Sequence, residues 1–280
     1  MGHRRRLVVA AGVAYEGPLD IVAGAVVAYG QRALCAAKLG TALYTIRESS
    51  GDTTQSFSSD ATTGEAPVAS ITTFLNGNAG FGTVWVDQSG SGANVLQATE
   101  ALQFQWLAAQ AGTRPAFTSP NTGNYKMDSV ATFDWENGAA TIFLVIKGGW
   151  RMLAMGEELE YVDMTIDGSN SFINSYDPSD NSAGAAYSLT SPAAYAVVEA
   201  AWEFGSKSLK INGTTQTPGS DYYDVSPVNN LTGLVCKIIH VHNADSGGIV
   251  EVIGYDSILT DQQRSDIRTN IADYYGITLS

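Results

Sequence analysis

A run of short apolar segments separated by turn residues constrains the fold of this chain more than any other feature. From residue 130 onward seven such segments follow one another, and Gly, Asn, Asp and Ser stand between them. They are VATFDWE (130–136), TIFLVIKG (141–148), EYVDMTIDG (160–168), SFINSYD (171–177), AAYAVVEAAWEF (193–204), KSLKINGT (207–214) and LVCKIIHVHNA (234–244). Strands at this spacing predict an all-β sandwich or jelly roll.

The first 100 residues mix helical and strand periods. The spacing of apolar residues predicts a helix over 32–40 that stops at Gly40, and strict alternation predicts a half-buried strand over 41–50. Residues 51–65 have the composition of a polar loop or an edge hairpin, and 67–77 of a short helix closed by glycine. The segment 82–92 then predicts a strand followed by its turn.

The end of the chain predicts one more strand and one amphipathic helix. Residues 247–259 alternate inward and outward positions, and residues 260–276 have helical spacing. Thr260 fits the N-cap, Gln263 fits the capping box and Gly276 fits the stop. The apolar stripe, which we expect to pack against an edge of the sandwich, consists of Ile267, Ile271 and Tyr274 or Tyr275.

Composition excludes some functions. The net charge of −13 argues against binding to nucleic acid or to an anionic membrane surface, because both require a basic face. The hydrophobic fraction of 44% is enough for a sizeable core. The two cysteines, Cys35 and Cys236, match no metal-binding spacing, and their apolar surroundings favour buried free thiols over a disulfide.

The N-terminus predicts an arm over 1–27, followed by one domain over 28–280. Arg4, Arg5 and Arg6 precede the apolar stretch LVVAAGVAY, which is too short to insert into a membrane and is interrupted too early for a signal peptide. We expect an uncleaved arm that docks on a neighbouring chain and so forms a homo-oligomer; a frayed basic terminus is the alternative.

The segment VWVDQSGSGANVLQ (84–97) allows two interpretations. An aromatic face beside an Asp and an Asn could hold a sugar ring, or a buried strand could end here in a tight turn. The turn is favoured, because Asp87 can accept backbone N–H bonds and the glycines allow positive φ. The structural turn is assigned to Trp85, Asp87, Gln88, Ser89, Gly90 and Gly92.

Two parts of the chain carry a resemblance to known families. The segments AYGQRALCAAKLGTALYTIRESSGDTTQSF and VWVDQSGSGANVLQAT resemble the start of the fungal α-L-arabinofuranosidase B catalytic domain. The segment EVIGYDSILTDQQRSDIRTNIADYYGI is similar to the closing strand and helix of laminin-G-like, concanavalin A-like jelly rolls. Similar segments occur in bacteriophage structural proteins with a lectin-like domain. The resemblance spans about 28–110 and 245–277 and implies a concanavalin A-like jelly roll with a few short helices.

The resemblance implies a pair of catalytic carboxylates that this sequence matches poorly. The family's nucleophile follows Gly-Asn-Ala, whereas the nearest stretch here is AMGEELEY, with Glu157, Glu158 and Glu160. The family's acid follows Gly-Gly, and Asp245 in HVHNADSGG is only a loose counterpart. The fungal enzyme's cysteines are missing as well. We therefore expect the fold without catalysis, with these acids in a solvated loop; a glycosidase is the alternative.

Other candidate sites are aromatic or metal-binding. Sugar contacts at one rim are predicted for aromatic residues in polar or glycine-rich surroundings: Tyr125, Trp150, Tyr176, Tyr222 and Tyr223. His240 and His242 alternate along one strand and could bind a metal together with Asp245, although a metal-free pair is favoured. The Asp and Asn oxygens of 167–184 would suit calcium, with a plain polar loop as the favoured alternative. No cofactor is expected.

These features favour a non-enzymatic bacteriophage virion protein, in the tail, a fibre or a capsid decoration. Its arm would bind other virion proteins, and its lectin-like domain would display a surface or bind cell-surface glycans. The alternatives are an arabinofuranosidase-like glycoside hydrolase and a free lectin.

Overall fold

Antiparallel strand pairing connects all 19 strands of the described part of the chain. The structure is a computed structural model that describes residues 14–119, 125–135, 138–155, 161–166, 171–177, 179, 181–219, 225–228, 231–240 and 247–280. The strands form two layers that face each other, which confirms the predicted all-β sandwich of jelly-roll type.

The strands are numbered in the order in which they occur along the chain. Their bounds are β1 Val27–Gly30, β2 Ala42–Glu48, β3 Thr54–Ser58, β4 Gly80–Trp85, β5 Val95–Leu96, β6 Gln105–Ala111, β7 Arg114–Thr118, β8 Lys126–Ser129, β9 Phe133–Trp135, β10 Ala140–Lys147, β11 Trp150–Met155, β12 Tyr161–Ile166, β13 Ser171–Tyr176, β14 Ser182–Tyr187, β15 Ala196–Glu203, β16 Ser206–Ile211, β17 Thr214–Thr215, β18 Leu231–His240 and β19 Gly248–Tyr255. The described helices are α1 Pro18–Ile21, α2 Val68–Leu75 and α3 Asp261–Tyr275, with 3₁₀ turns at Ala36–Lys38 and Glu100–Leu102.

Each layer has its own order of paired strands. The back layer has β19 beside β1 and β7 on one side, and β10, β15, β16 and β17 in order on the other. The front layer has the order β3, β2, β4, β5, β8, β18, β11, β12, β13, β14, with β9 beside the first half of β18. The β6–β7 hairpin joins the layers, because β6 pairs with β4 and β7 pairs with β19.

Side-chain alternation in the back layer separates two apolar clusters. In β10, Ile142, Leu144 and Ile146 face the interior between the layers, while Phe143 and Val145 face the other way. The outward cluster is covered by Ile267 and Ile271 of α3, so every residue of β19 is buried. The helix thus packs on the outer face of the back layer and not on a sandwich edge as predicted, because that face is apolar.

Helix α3 has the predicted ends. Thr260 accepts a hydrogen bond from the Gln263 N–H at 3.3 Å, and the Gln263 side chain accepts one from the Thr260 N–H at 2.9 Å, which completes the capping box. Gly276 ends the helix at φ 66°.

Residues 32–40 do not form the predicted α-helix. Their backbone groups are used in contacts with distant segments: Ala33 donates to the Gly64 carbonyl at 2.8 Å, and the Leu34 N–H donates to the Gln88 side chain at 2.8 Å. Only the 3₁₀ turn at Ala36–Lys38 remains helical. Cys35 and Cys236 are both free, Cys236 being buried and Cys35 half-buried.

The expected boundary of the arm at residue 27 lies inside the packed domain. Val22 is buried, its carbonyl accepts a hydrogen bond from the Tyr255 hydroxyl at 2.8 Å, and the Val26 N–H donates to Gly254 at 2.8 Å. Residues 14–27 are thus part of the domain; residues 1–13 lie outside the described residues.

Candidate functional site

The DQSGSG turn connects β1 to the end of β4 through hydrogen bonds within the protein. The Asp87 carboxylate is 5% exposed and accepts hydrogen bonds from the backbone N–H groups of Ala28 at 2.9 Å and Gly92 at 3.1 Å. It also accepts the Ser89 hydroxyl at 2.7 Å. Both oxygens are thereby used within the protein, which leaves this carboxylate little capacity for an external ligand.

The other residues of the turn also bind the protein itself. Trp85 is fully buried, and its indole N–H donates to the Gly30 carbonyl at 3.0 Å. Gln88 is 2% exposed and donates to the Arg32 carbonyl at 2.9 Å. Gly90 and Gly92 have φ values of 102° and 79°, which favour glycine at both positions.

Two of the aromatic residues predicted to contact sugar are buried instead. Trp150 is 0% exposed, donates its indole N–H to the Lys147 carbonyl at 2.9 Å, and packs on Phe104 with ring centroids 5.1 Å apart. Tyr125 is 6% exposed beside the same ring. Tyr125 directly precedes β8 and Trp150 begins β11, and both side chains pack in the interior, so neither is an exposed aromatic as the sequence predicted. Tyr222 and Tyr223 lie outside the described residues.

Tyr176 is half-buried on the front layer and stacks on Tyr161. The two ring centroids are 5.4 Å apart and the rings are 14° from parallel. The residues face each other in register across β12 and β13. This pair marks one side of a polar cluster that the sequence did not predict.

That cluster, which we call the front-face cluster, consists of Arg151, Asp163, Thr165 and Asn174. The four alternate with core residues such as Val162, Met164 and Ile173, so they project from the outer face of the front layer. Antiparallel register aligns Arg151 with Thr165 across β11 and β12, and Asp163 with Asn174 across β12 and β13. Three neighbouring strands thus bring the cluster together.

Asp163 is the electrostatic centre of the cluster. It is fully buried, and its Oδ2 accepts hydrogen bonds from both Arg151 Nε, at 2.8 Å, and Arg151 Nη2. Its Oδ1 accepts the Thr165 hydroxyl at 2.9 Å. Burial raises the pKa of the Asp163 carboxyl, and the hydrogen bonds from Arg151 and Thr165 oppose that rise. Perturbed acids of this kind are typical of functional sites.

Asn174 gives the cluster an unused acceptor. The residue is 1% exposed, its Nδ2 donates to the Tyr161 hydroxyl at 3.4 Å, and its Oδ1 has no hydrogen-bond partner. A buried unpaired carbonyl oxygen costs about 1–3 kcal/mol, which a ligand hydroxyl or an ordered water would recover. Arg151 is 36% exposed and its guanidinium carbon lies 5.9 Å from the Phe172 ring centroid.

The acids predicted as catalytic, Glu157, Glu158, Glu160 and Asp245, all lie outside the described residues.

Two of the three predicted metal ligands lie beyond the described end of β18. His242 and Asp245 lie outside the described residues, and among the described ones no three His, Cys, Asp or Glu side chains group to hold a metal. In the described part of 167–184, the Asp177 carboxylate accepts hydrogen bonds from the Ser179 N–H at 2.8 Å and the Asn181 side chain at 3.0 Å. The described helices include none long and apolar enough to span a membrane.

A weak signal for the front-face cluster was present in the sequence. In EYVDMTIDG, Asp163 and Thr165 alternate with apolar residues, so both belong to the face opposite the core. The cluster could not be predicted, because its other members, Arg151 and Asn174, come from separate strands whose register a single sequence does not give.

Comparison with known proteins finds the same architecture. No protein-family model and no curated protein matches the chain. A crystal structure of arabinofuranosidase complexed with arabinofuranosyl-α-1,2-xylobiose matches with a TM-score of 0.62 at 16% identity, over 91% of this chain and 64% of that chain. A GH54 α-L-arabinofuranosidase soaked with a cyclic sulfate inhibitor matches with a TM-score of 0.60 at the same identity and coverage. The botulinum neurotoxin serotype G binding domain gives 0.46 at 10% identity, over 85% of this chain and 51% of that chain.

The two arabinofuranosidase matches define the class of protein as a β-sandwich with the fold of an arabinofuranosidase domain. The chain spans 64% of the length of the arabinofuranosidases it matches. The TM-scores of 0.60 and 0.62 establish the shared fold, and at 16% identity the likeness extends to the fold alone. The chemistry of the chain must therefore be argued from its own residues.

Proposed function

We propose that this protein binds carbohydrate through the front-face cluster without cleaving it, as a non-enzymatic component of a bacteriophage virion. The observation that carries the carbohydrate part is the buried Arg151–Asp163–Thr165 network next to the unpaired Asn174 Oδ1 and the stacked pair Tyr161–Tyr176. A sugar presents hydroxyls that both donate and accept, together with a flat C–H face.

Each part of the cluster matches one of those features. The exposed part of Arg151 donates to a hydroxyl oxygen, and the buried Asn174 Oδ1 accepts from the ligand through an ordered water. The Tyr161–Tyr176 pair supplies apolar area with polar hydroxyl ends. Asp163 fixes Arg151 in one geometry, so less side-chain freedom is lost when the ligand binds.

The proposal that the protein does not cleave carbohydrate rests on the number of carboxylates in the front-face cluster. Retaining glycoside hydrolysis requires a nucleophile and an acid on either side of the bond that breaks. The front-face cluster contains one carboxylate, Asp163, and both its oxygens are held by Arg151 and Thr165. Hydrolysis of an aryl arabinofuranoside that is lost in Glu157→Gln or Glu158→Gln would replace this proposal with the glycosidase alternative.

The virion part rests on the sequence resemblance to lectin-like domains of phage structural proteins. Its test is mass spectrometry of purified phage particles from the source of this sequence. The protein should be present at a fixed copy number per particle after a density gradient. Recovery only in the soluble fraction of the lysate would favour a free lectin.

The binding test combines a glycan array with calorimetry on the best hit. Tyr176→Ala and Arg151→Gln should each weaken binding by about tenfold or more, the loss expected for one stacked ring or one charge-assisted hydrogen bond. Phe204→Ala is the matched control, since Phe204 is 44% exposed beyond the end of β15 in the back layer. Equal affinity of all three variants would show that the ligand binds elsewhere.

A further inference from the structure

Two cavities on the back layer share three lining residues. They have volumes of about 510 and 160 Å³ and lie where the β6–β7 hairpin, the end of β10 and the segment after α3 meet. Gln110, Lys147 and Tyr195 line both. The larger cavity is within the size range of small-molecule sites, which is roughly 300–1,000 Å³.

The described lining of these cavities is positively charged, although the molecule as a whole is negatively charged. Lys147 is the one charged residue among the described lining residues, and it makes no ion pair with any residue that the structure describes. The whole chain has a net charge of −13. A concave site with an unpaired ammonium and no described carboxylate therefore selects an anionic group over a cationic one.

Tyr195 forms a wall common to both cavities. A side chain at Gly248 would place its Cβ 1.9 Å from the Tyr195 hydroxyl oxygen, so the ring lies directly against the β19 backbone. Burial raises the pKa of the Tyr195 hydroxyl, which stays neutral and protonated at physiological pH. This hydroxyl makes no hydrogen bond with the described residues, so it remains available to a ligand.

Neutral amides complete the lining. Gln105 lines the smaller cavity, Gln110 lines both, and neither amide side chain is hydrogen-bonded to described residues. Asn212 accepts a hydrogen bond from the Val197 N–H at 2.9 Å with its carbonyl oxygen, which leaves its amide nitrogen for a ligand. These groups offer both donors and acceptors at several points around one cation.

We infer that these back-layer cavities bind a sugar acid, with the carboxylate on Lys147, the ring face on Tyr195 and the hydroxyls on the glutamine amides. A single ammonium suits one monoanionic carboxylate. A phosphate monoester carries about −1.5 to −2 charges at pH 7, which one ammonium leaves partly uncompensated, and Lys147 is the one charged residue among the described lining residues. The site lies on the layer opposite the front-face cluster and does not depend on the proposed function.

The test is NMR titration of the full-length protein with D-glucuronate, with D-glucose as the neutral counterpart. Saturable shifts should appear for amides near Lys147 and Tyr195 with glucuronate, and glucose should bind at least about tenfold more weakly. Lys147→Met should weaken glucuronate binding by about tenfold, whereas Lys147→Arg should largely retain it. Phe204→Ala, at the far end of β15 from Tyr195, should leave the titration unchanged.

Several outcomes would overturn the inference. They are equal binding of glucose and glucuronate, unchanged affinity in a Lys147→Met variant with wild-type circular dichroism, and no saturable shift for glucuronate. Tyr195→Phe gives a second readout, because it removes the hydroxyl and keeps the ring. Binding of the methyl glycoside of glucuronate would identify the end of a glycan chain as the ligand, and binding of only the free acid would identify a free monosaccharide.

Discussion

At the scale of single residues, Asp87 shows how one carboxylate can stabilise a turn between distant segments. Its two oxygens accept hydrogen bonds from Ala28, Ser89 and Gly92 N–H groups and from the Ser89 and Ser91 hydroxyls. Ala28 is 59 residues away in the chain and fully buried, so the tie joins β1 to β4. Local turn chemistry and tertiary structure are thus linked by one side chain.

Replacing Asp87 should destabilise the fold strongly. In Asp87→Ala the buried Ala28 N–H loses its partner and the turn N–H groups lose theirs, so we expect a loss of about 3 kcal/mol in the free energy of unfolding. Ser91→Ala, at an exposed position of the same turn, should cost less than about 0.5 kcal/mol. Urea unfolding of the two variants measures the difference, and equal stabilities would contradict the assigned role.

Asp163 should make stability depend on pH in an unusual direction. Its pKa is raised in the folded state, so the folded protein holds the proton more tightly than the unfolded chain does. This contribution is present below the unfolded pKa of about 3.9 and is lost as pH rises through the higher folded pKa. The stability of the wild type relative to Asp163→Asn should therefore fall across that window.

Asp60 provides the opposite control for that measurement. Hydrogen bonds from the Thr63 and Thr62 N–H groups lower the pKa of the Asp60 carboxyl. Its contribution is present above the unfolded pKa and is lost as pH falls, so the stability of the wild type relative to Asp60→Asn should rise with pH. Urea unfolding at several pH values tests both signs, and two parallel curves would refute the interpretation of Asp163.

At the scale of secondary-structure elements, α3 is held on the back layer by buried charges as well as by its apolar stripe. Glu251 of β19 is 1% exposed, pairs with Arg32 Nε at 3.1 Å and accepts the Tyr275 hydroxyl at 2.8 Å. Glu199 of β15 is fully buried and pairs with Arg268 and, at 3.6 Å, with Arg264. Two sheet carboxylates therefore fix the position of the helix on the layer.

Neutralising Glu251 should loosen the helix. Glu251→Gln leaves the buried Arg32 guanidinium without its counter-charge, for which we expect a loss of about 3 kcal/mol. Amide hydrogen exchange over 261–275 should accelerate more than exchange in the front layer. Asp261→Asn is the control, because Asp261 is 88% exposed and its pair with Arg264 should contribute little. Uniform acceleration over the whole protein would argue against a local role.

The elements that could be predicted from sequence are those whose signals are local. Helix α3 carries its own cap, stripe and stop, so Thr260, Gln263 and Gly276 were sufficient to place it. Residues 32–40 have helical spacing, but the hydrogen bonds of Ala33 and Leu34 to distant segments override it. The front-face cluster depends on the register of three strands, which one sequence does not give. The inward orientation of Trp150 likewise depends on how β11 pairs with its neighbours, so it could not be predicted either.

At the scale of the whole molecule, the first described residues belong to the domain. Deleting residues 1–13 removes none of the contacts described above and serves as the reference for a longer deletion. Deleting residues 1–26 removes the burial of Val22 and the hydrogen bonds of Val22 and Val26, a loss of about 4 kcal/mol that should lower the melting temperature by about 8 °C or more. Thermal unfolding of the two truncations, monitored by circular dichroism, compares these effects.

The same truncations test the proposed arm. If residues 1–13 dock on a neighbouring chain, the full-length protein should elute as an oligomer in size-exclusion chromatography with light scattering, and the shorter deletion should elute as a monomer. An oligomer that survives the shorter deletion would assign assembly to another surface, and a full-length monomer would refute the proposed arm.

The pairing of β1 with β19 has a consequence for how the protein is made. Val27 lies opposite Gly254, so a strand synthesised early completes its hydrogen bonds only after more than 200 further residues have left the ribosome. Closing so long a loop is slow, and the apolar inner edges of the back layer stay uncovered in the nascent chain until then. Folding during translation therefore cannot finish before β19 emerges, and chaperones that shield exposed strands should matter most in that interval.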